Sequence, residues 1–154
     1  MRATPYSFRM HISIQRIDVT LPLPTHQTPG AVAFDVITRT TTTIEPGAIG
    51  LIPGNVIVKV PEGYALILAP RSSMPKKKGL VFPHSIGIID QDYHGEKDEL
   101  LVQVQNITKD PVTIERGERI AQGMFIKIER AEWVEVEGHG AGTRGGFGTT
   151  GTHI

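Results

Sequence analysis

Asp90 is the first residue whose type and position could do chemistry. It follows the apolar residues Ile88 and Ile89 and precedes Gln91 and Asp92. An acid at the end of an apolar strand, beside a bend, can serve as a general base that activates a water molecule. It can also cap its own backbone as a turn aspartate, and the local pattern alone favours that structural role. Asp92 is a rival, but it lies closer to the expected turn.

A second candidate is the segment 70–73 (PRSS), in which an arginine and two serines follow an apolar run. A guanidinium, two hydroxyls and backbone N–H groups at a strand end can bind phosphate oxygens. A solvated turn explains the same residues, and local spacing favours it. Three lysines at 76–78 add positive potential beside this segment.

Asp35 is a third candidate, because it lies between Phe34 and Val36 in an apolar context where an acid needs a partner. It can pair with an arginine or hold a metal-bound water, and the sequence leaves both open. The six histidines show no metal-ligand spacing and the chain has no cysteine, so a zinc site is not expected. The absence of a G-x-x-x-x-G-K-[ST] motif excludes a P-loop enzyme.

The C-terminal residues 138–154 are rich in glycine and predict a flexible tail. Arg144, Phe147, Thr149 and Thr150 stand among these glycines. An arginine and two hydroxyls can contact an anion, and a phenyl ring can stack on an aromatic group. This mixture suits a tail that orders over a phosphorylated aromatic ligand. The alternative is a disordered tail with no role in binding.

Short strands must position these residues. The chain has 154 residues, 39% of them hydrophobic, and a formal net charge of zero. These values fit one globular domain and give no indication of polyanion binding. No apolar run reaches the length of about 18 residues that a membrane span requires. We therefore expect neither a nucleic-acid nor a membrane partner, and a cytoplasmic location, with the nucleus not excluded.

Alternation of apolar and polar residues predicts half-buried strands at 12–17, 56–60, 100–104 and 133–137. Longer apolar stretches at 64–69 and 120–128 predict buried strands. Glycine and proline turns separate these segments, which is typical of a sandwich, jelly roll or barrel. A short helical turn is predicted near 72–78, with Pro75 limiting its length.

Taken in order, these segments resemble the homotrimeric dUTP pyrophosphatase (dUTPase) family. The most specific matches are residues 87–95 (GIIDQDYHG) and 145–151 (GGFGTTG), supported by 70–73 (PRSS) and 119–122 (RIAQ). The pattern around Asp35 is the loosest match. The resemblance implies an all-β, distorted jelly-roll β-barrel that assembles as a homotrimer with shared active sites. It also implies hydrolysis of dUTP to dUMP and pyrophosphate, with Mg²⁺ as cofactor.

The resemblance implies domain limits of 1–137 for the barrel and 138–154 for a tail that closes over an active site. Asp90 resembles the catalytic base, Tyr93 the ring under the deoxyribose that excludes a 2′-hydroxyl, and Asp35 the acid that reaches Mg²⁺ through water. The other implied substrate-binding residues are Arg71, Ser72, Ser73 and Gln122 for phosphates, His84, Gly87, Ile88 and Ile89 in a uracil-binding hairpin, and Arg144, Phe147, Gly148, Thr149 and Thr150 in the tail.

Four features depart from the family pattern. Ala33 stands where the family usually has glycine, two residues before Asp35. His84 stands where the family often has asparagine. Arg144 lies three residues before Phe147, whereas the family usually places this arginine five residues before. The segment 96–99 (EKDE) is longer and more acidic than usual. Two alternatives stay open: a dCTP deaminase or bifunctional enzyme of the same fold, or a nucleotide-binding regulatory module without catalysis. Asp92, Tyr93 and the glycine-rich tail favour dUTPase over the deaminase. The presence of Asp90, Arg71 and Phe147 argues against a module without catalysis.

Overall fold

The computed structural model describes residues 10–146, which form eleven strands and one helix. In chain order these are β1 (Ser13–Arg16), β2 (Phe34–Ile37), β3 (Thr42–Ile44), β4 (Ile49–Pro53), β5 (Val56–Lys59), β6 (Tyr64–Pro70), α1 (Met74–Lys78), β7 (Leu80–Val81), β8 (Gly87–Ile89), β9 (Leu101–Asn106), β10 (Val112–Ile114) and β11 (Arg119–Lys127). The all-β prediction is confirmed, and so is the short helical turn.

Every strand pair is antiparallel. A four-stranded sheet has the order β2-β11-β6-β8, and a three-stranded sheet has the order β4-β9-β7. Two further pairs, β1-β5 and β10-β3, complete the arrangement. Because β11 pairs with β2 on one side and β6 on the other, residues far apart in the chain become neighbours in the first sheet. This sheet carries Asp35 and Gln122, and Arg71 and Asp90 directly follow two of its strands.

One continuous core fills the space between the sheets. Its largest fully buried side chains are aliphatic: Ile52, Leu66, Leu68, Leu80, Leu100 and Ile114. Burying each such side chain stabilises the fold by about 1.5–3 kcal/mol. On β2 the alternation is regular, since Phe34 and Val36 are buried and Asp35 between them is not. The strand therefore directs Asp35 to the opposite face.

Helix α1 begins directly after the 70–73 segment. Ser73 is its N-cap residue, and Pro75 lies in the first turn, where a missing N–H costs little. Gly79 ends the helix in the left-handed conformation (φ +63°), and its N–H donates to the Pro75 carbonyl at 2.9 Å. The short helix thus fixes the chain on the C-terminal side of the candidate phosphate residues. Within residues 10–146, no helix is long and apolar enough to cross a membrane.

The prediction of a strand at 133–137 is wrong for the single chain. The segment forms no ladder, and Trp133 and Val134 are 91% and 84% exposed. Alternation marks a segment that can pair, but a strand also needs a free sheet edge to supply its hydrogen bonds. No such edge accepts this segment among the residues that the structure describes, so its apolar side chains lie in solvent.

Candidate active site

Asp35 lies between two arginines. Its Oδ1 atom is 3.2 Å from Nε of Arg71, and its Oδ2 atom is 3.1 Å from Nη1 of Arg119. The Asp35 side chain is only 11% exposed, so the two guanidinium groups supply the partners that a largely buried carboxylate requires. Of the two roles that the sequence left open for Asp35, pairing with arginine is therefore confirmed.

The register of the first sheet places Gln122 beside this acid. Gln122 on β11 lies directly opposite Asp35 on β2 and opposite Ala69 on β6. Its Nε2 atom donates to the Pro70 carbonyl at 3.0 Å, which ties β11 to the start of the PRSS segment. Three adjoining strands thus bring together an acid, an amide and an arginine from widely separated parts of the sequence.

A β-bulge brings Arg119 to the same place. On a regular strand Arg119 and Gln122, three residues apart, would project from opposite faces. The pairing of β11 with β2 shifts register between Arg119 and Ala121, so Arg119 is redirected toward Asp35. The sequence reasoning assigned no role to Arg119. The place of Arg119 in the 119–122 motif was the one indication of a functional role. Strand periodicity, however, predicted that Arg119 and Gln122 lie on opposite faces of the sheet.

These residues line a pocket of about 250 Å³. The pocket contains two positive charges, from Arg71 and Arg119, against the single negative charge of Asp35. Serine hydroxyls and an amide add hydrogen-bonding groups, so the pocket is suited to a multiply charged anion. The full lining is Gln27, Ala31, Ala33, Asp35, Arg71, Ser72, Ser73, Arg119 and Gln122.

Asp90 lies at a different part of the same sheet. Strand β8 pairs antiparallel with β6, and Asp90 follows its end, beside the first residues of β6. The neighbouring Gln91 confirms this position, because its Nε2 atom donates to the Tyr64 carbonyl at 3.0 Å. Arg71 follows the other end of β6. A strand of this length spans about 20 Å at roughly 3.3 Å per residue, so a single chain holds Asp90 and the anion pocket far apart.

The turn at Asp90 leaves its carboxylate available. The Tyr93 N–H donates to the Asp90 backbone carbonyl at 3.3 Å, so the backbone closes the turn. The Asp90 side chain is exposed, whereas Tyr93 is half-buried. The phenol of Tyr93 donates to the Glu99 carbonyl at 3.1 Å. Water can therefore reach the Asp90 carboxylate. Three residues further on, the outer end of the Tyr93 ring is fixed by its hydrogen bond to Glu99.

The hairpin predicted around His84 is instead a turn between two sheets. Strand β7 pairs with β9, whereas β8 pairs with β6, so the two strands that flank the turn do not pair with each other. The turn is closed by backbone bonds, and Ser85 has a φ of +69°. The His84 ring stacks on Phe82, with centroids 5.8 Å apart and planes 6° from parallel. Ile88 on β8 is 62% exposed.

The tail residues fall in two groups. Arg144 lies in the described part of the chain and is exposed. Phe147, Gly148, Thr149 and Thr150 lie outside the described residues. The strands themselves end at Lys127, well before the domain boundary predicted at residue 137, which stays a prediction. Within residues 10–146, no three acidic or histidine side chains converge on a shared point where they could hold a metal ion.

Comparison with known proteins identifies relatives along almost the entire chain. A family model described as dUTPase matches residues 20–151. Deoxyuridine 5′-triphosphate nucleotidohydrolase of Shewanella pealeana is 39% identical over 142 residues, which cover 89% of this chain and 91% of the relative. The enzyme of the same name from Thermobifida fusca is 34% identical over 152 residues, covering 97% of this chain and 84% of the relative.

Solved structures agree with the sequence relatives. The crystal structure of dUTPase from Streptococcus mutans superposes with a TM-score of 0.72 at 34% identity, covering 78% of this chain and 98% of that chain. The predicted jelly-roll barrel is thereby confirmed. The matched region includes Asp35, Arg71, Asp90 and Gln122, the residues whose geometry is described above.

Proposed function

This chain belongs to the dUTPase family, and from that premise we propose that it hydrolyses dUTP to dUMP and pyrophosphate at sites that combine Asp90 with the Arg71 pocket. The observation that carries the proposal is the pocket itself. Two guanidinium groups, serine hydroxyls and the Gln122 amide surround a single paired acid in it. A triphosphate is the kind of ligand that this excess of positive charge and donors favours.

Asp90 acts as the general base in this proposal. Its exposed carboxylate takes a proton from a water molecule, and the water oxygen bonds to the α-phosphorus. The bond from that phosphorus to the bridging oxygen breaks, and pyrophosphate leaves with the electron pair. Because the base must stay within hydrogen-bonding distance of the water, the nucleotide has to be held in a fixed position.

Backbone groups of the turn at 84–89 hold the uracil in this proposal. His84, Gly87, Ile88 and Ile89 belong to this segment, which carries few polar side chains, so recognition by N–H and C=O groups suits it. The Tyr93 ring packs against the deoxyribose and leaves no room for a 2′-hydroxyl. Selection against UTP is then steric, because the ring occupies the space that the additional oxygen requires.

Arg71, Ser72, Ser73 and Gln122 bind the phosphates in this proposal. Arg71 uses Nε for the ion pair with Asp35 and donates from Nη1 to the Arg119 carbonyl at 3.2 Å. These two bonds orient the guanidinium and leave Nη2 for the ligand. We further propose that Arg144, Phe147, Gly148, Thr149 and Thr150 form a tail that closes over the bound nucleotide.

The donor set fits an indirectly held Mg²⁺. Mg²⁺ keeps several of its waters and binds phosphate oxygens, so it needs few protein ligands. Asp35 already accepts bonds from Arg71 and Arg119, and its remaining lone pairs suit a metal-bound water better than the ion itself. When bound, Mg²⁺ would neutralise phosphate charge that the two arginines do not. Asp35 would orient one of its waters.

A homotrimer with shared sites would resolve the separation between Asp90 and the pocket. Neighbouring copies could place the turn of one protomer over the pocket of the next. Apolar side chains on β4 support such an assembly, because Ile49 and Leu51 are 54% and 55% exposed. Trp133 and Val134, which find no strand partner in their own chain, are further candidates for contact with a second copy. A cytoplasmic location remains part of the proposal.

Pyrophosphate release from dUTP, dCTP, dTTP and UTP, each with Mg²⁺, tests the function. We expect release with dUTP and at most slow release with the others. Ammonia release from dCTP would support the same-fold deaminase instead. Binding of dUTP with no pyrophosphate release would contradict hydrolysis and favour a regulatory module.

A further inference from the structure

The outer end of the Tyr93 ring is fixed by the backbone of Glu99. The Tyr93 hydroxyl donates to the Glu99 carbonyl at 3.1 Å. The intervening segment closes on itself, because the Gly95 N–H donates to the Asp98 carboxylate at 2.6 Å. The position of the phenol therefore depends on whatever holds Glu99 in place.

Glu99 is a buried acid whose carboxylate accepts three hydrogen bonds. The residue is 8% exposed, and its carboxylate accepts bonds from Nε and Nη2 of Arg39, both at 2.9 Å. The Asn55 N–H donates to the same carboxylate at 2.8 Å. The hydrogen bonds to Glu99, together with its negative charge, raise the pKa of the Arg39 guanidinium above its ordinary value. Bidentate pairing with a planar guanidinium restricts orientation as well as distance, so the pair holds Glu99 in one geometry.

Asn55 connects this ion pair to the barrel. It is fully buried and has a φ of +67°, a conformation that its short polar side chain tolerates. Its Oδ1 atom accepts from the Asp18 N–H at 2.7 Å, and its Nδ2 atom donates to the Asp18 carbonyl at 3.1 Å. We call Arg39, Asn55 and Asp18 the Glu99 clamp. It joins three chain segments that are distant in sequence.

We propose that the Arg39–Glu99 ion pair is a positioning element that holds the Tyr93 ring against the deoxyribose and thereby sets discrimination between dUTP and UTP. The inference rests on the proposed function, in which this ring excludes the 2′-hydroxyl. Steric exclusion of the 2′-hydroxyl requires that the ring keep a fixed position. Displacing a positioning group by about 1 Å is enough to change the reaction rate strongly. The pair acts on the substrate only through Tyr93.

The test compares kcat/KM for dUTP with that for UTP in Glu99→Gln, Tyr93→Phe and the double variant. Glu99→Gln keeps the shape and removes the charge that orients Arg39. Tyr93→Phe keeps the ring and removes only its bond to Glu99. We expect each single change to lower the dUTP/UTP ratio roughly tenfold. The double variant should show no further fall, because both changes release the same ring.

Arg116→Gln is the matched control. Arg116 pairs with the Asp18 carboxylate at 2.7 Å, whereas Asn55 contacts only the backbone N–H and carbonyl of Asp18. This change therefore breaks an arginine–acid pair beside the Glu99 clamp and leaves the hydrogen bonds of the clamp in place. We expect it to leave the dUTP/UTP ratio unchanged. A purely structural role for Glu99 would lower the melting temperature and reduce both activities equally, with a constant ratio, and would overturn the inference.

Tyr93→Phe keeps the test decisive if Glu99→Gln does not fold. An unchanged ratio in folded Tyr93→Phe would overturn the inference, and so would additive effects in the double variant. A parent protein that does not hydrolyse dUTP at all would instead contradict the proposed function. Assaying the parent protein with dUTP therefore distinguishes failure of the proposed function from failure of the inference about the Arg39–Glu99 pair.

Discussion

The anion pocket and the Asp90 turn are built in opposite ways. The pocket lies on three adjoining strands, β2, β11 and β6, and its charged residues are held by ion pairs with one another. Asp90 lies in a turn after a strand of three residues, and backbone bonds close that turn. In the proposed reaction, the groups that bind charge are thus oriented before the ligand arrives, whereas the proposed base is exposed to water.

The two regions also lie at opposite ends of β6. The pocket is next to Arg71, which follows the last residue of this strand. The Asp90 turn projects from the other end of β6, away from the arginines and serines of the pocket. Loss of Asp90 should therefore affect chemistry, loss of pocket residues should affect binding, and the two defects should be separable.

Asp90→Asn should have the largest effect on the proposed hydrolysis. Removing a general base costs roughly 10²–10⁴-fold in rate, and we expect kcat for dUTP to fall by about 10³-fold. Nucleotide binding should persist, since the pocket and Tyr93 are intact. Stopped-flow pyrophosphate release gives kcat, and calorimetric titration with a non-hydrolysable dUTP analogue gives the dissociation constant.

Asp92→Asn is the control for this prediction. Asp92 is also exposed and lies in the same turn, but its backbone carbonyl accepts from His94 and it has no assigned role in the reaction. Its kcat should stay within about threefold of the parent, as expected for a surface substitution. Parental turnover in Asp90→Asn, or a larger loss in Asp92→Asn, would transfer the base role away from Asp90.

Mixing two inactive variants tests whether the regions meet between copies. Arg71→Gln should lose about 10²–10³-fold in kcat/KM, because a cation that faces the phosphates is removed. The Arg71→Gln and Asp90→Asn variants, co-expressed with different affinity tags, should form hybrid assemblies. If sites are shared between copies, about one quarter of all sites in the random mixture combine an intact Asp90 with an intact Arg71.

The recovered activity should appear only in protein that carries both tags. Each variant purified alone supplies the background. Hybrids that stay at that background would mean that both residues serve one site within one chain, contrary to the separation along β6. Size-exclusion chromatography with light scattering determines the number of copies independently of activity.

Several features of the pocket and turn were predictable from sequence because they are local. Apolar stretches predicted β6 and β11, and the apolar neighbours of Asp35 predicted a partner for that acid. The bulge that turns Arg119 toward Asp35 was not predictable, because a register shift of one residue leaves no mark in composition. The same holds for Glu99, whose two partners, Arg39 and Asn55, come from distant segments.

The prediction at 133–137 was wrong for a related reason. Periodicity reports which residues can share a face, but it does not report whether an unpaired edge is available. Trp133 is 91% exposed although its segment alternates as regularly as β9 does. A hairpin was also predicted from His84 to Asp90, but β8 in this segment pairs with β6 and not with β7. Sequence shows a turn without showing which strands it connects.

His84→Asn should have the smallest effect of these variants. It tests whether the turn recognises uracil through its backbone, in contrast to the pocket, whose ligand-binding groups are side chains. If backbone groups read the uracil, replacing His84 by the residue more usual in the family removes only the stacking contact with Phe82. Such a contact is worth about 0.5–1.5 kcal/mol, so we expect KM for dUTP to rise by less than about tenfold with kcat unchanged. Steady-state kinetics with dUTP and dCTP measures this. A loss of 10²-fold or more, or new activity toward dCTP, would show that the side chain itself reads the base, and the turn would then be as dependent on side chains as the pocket.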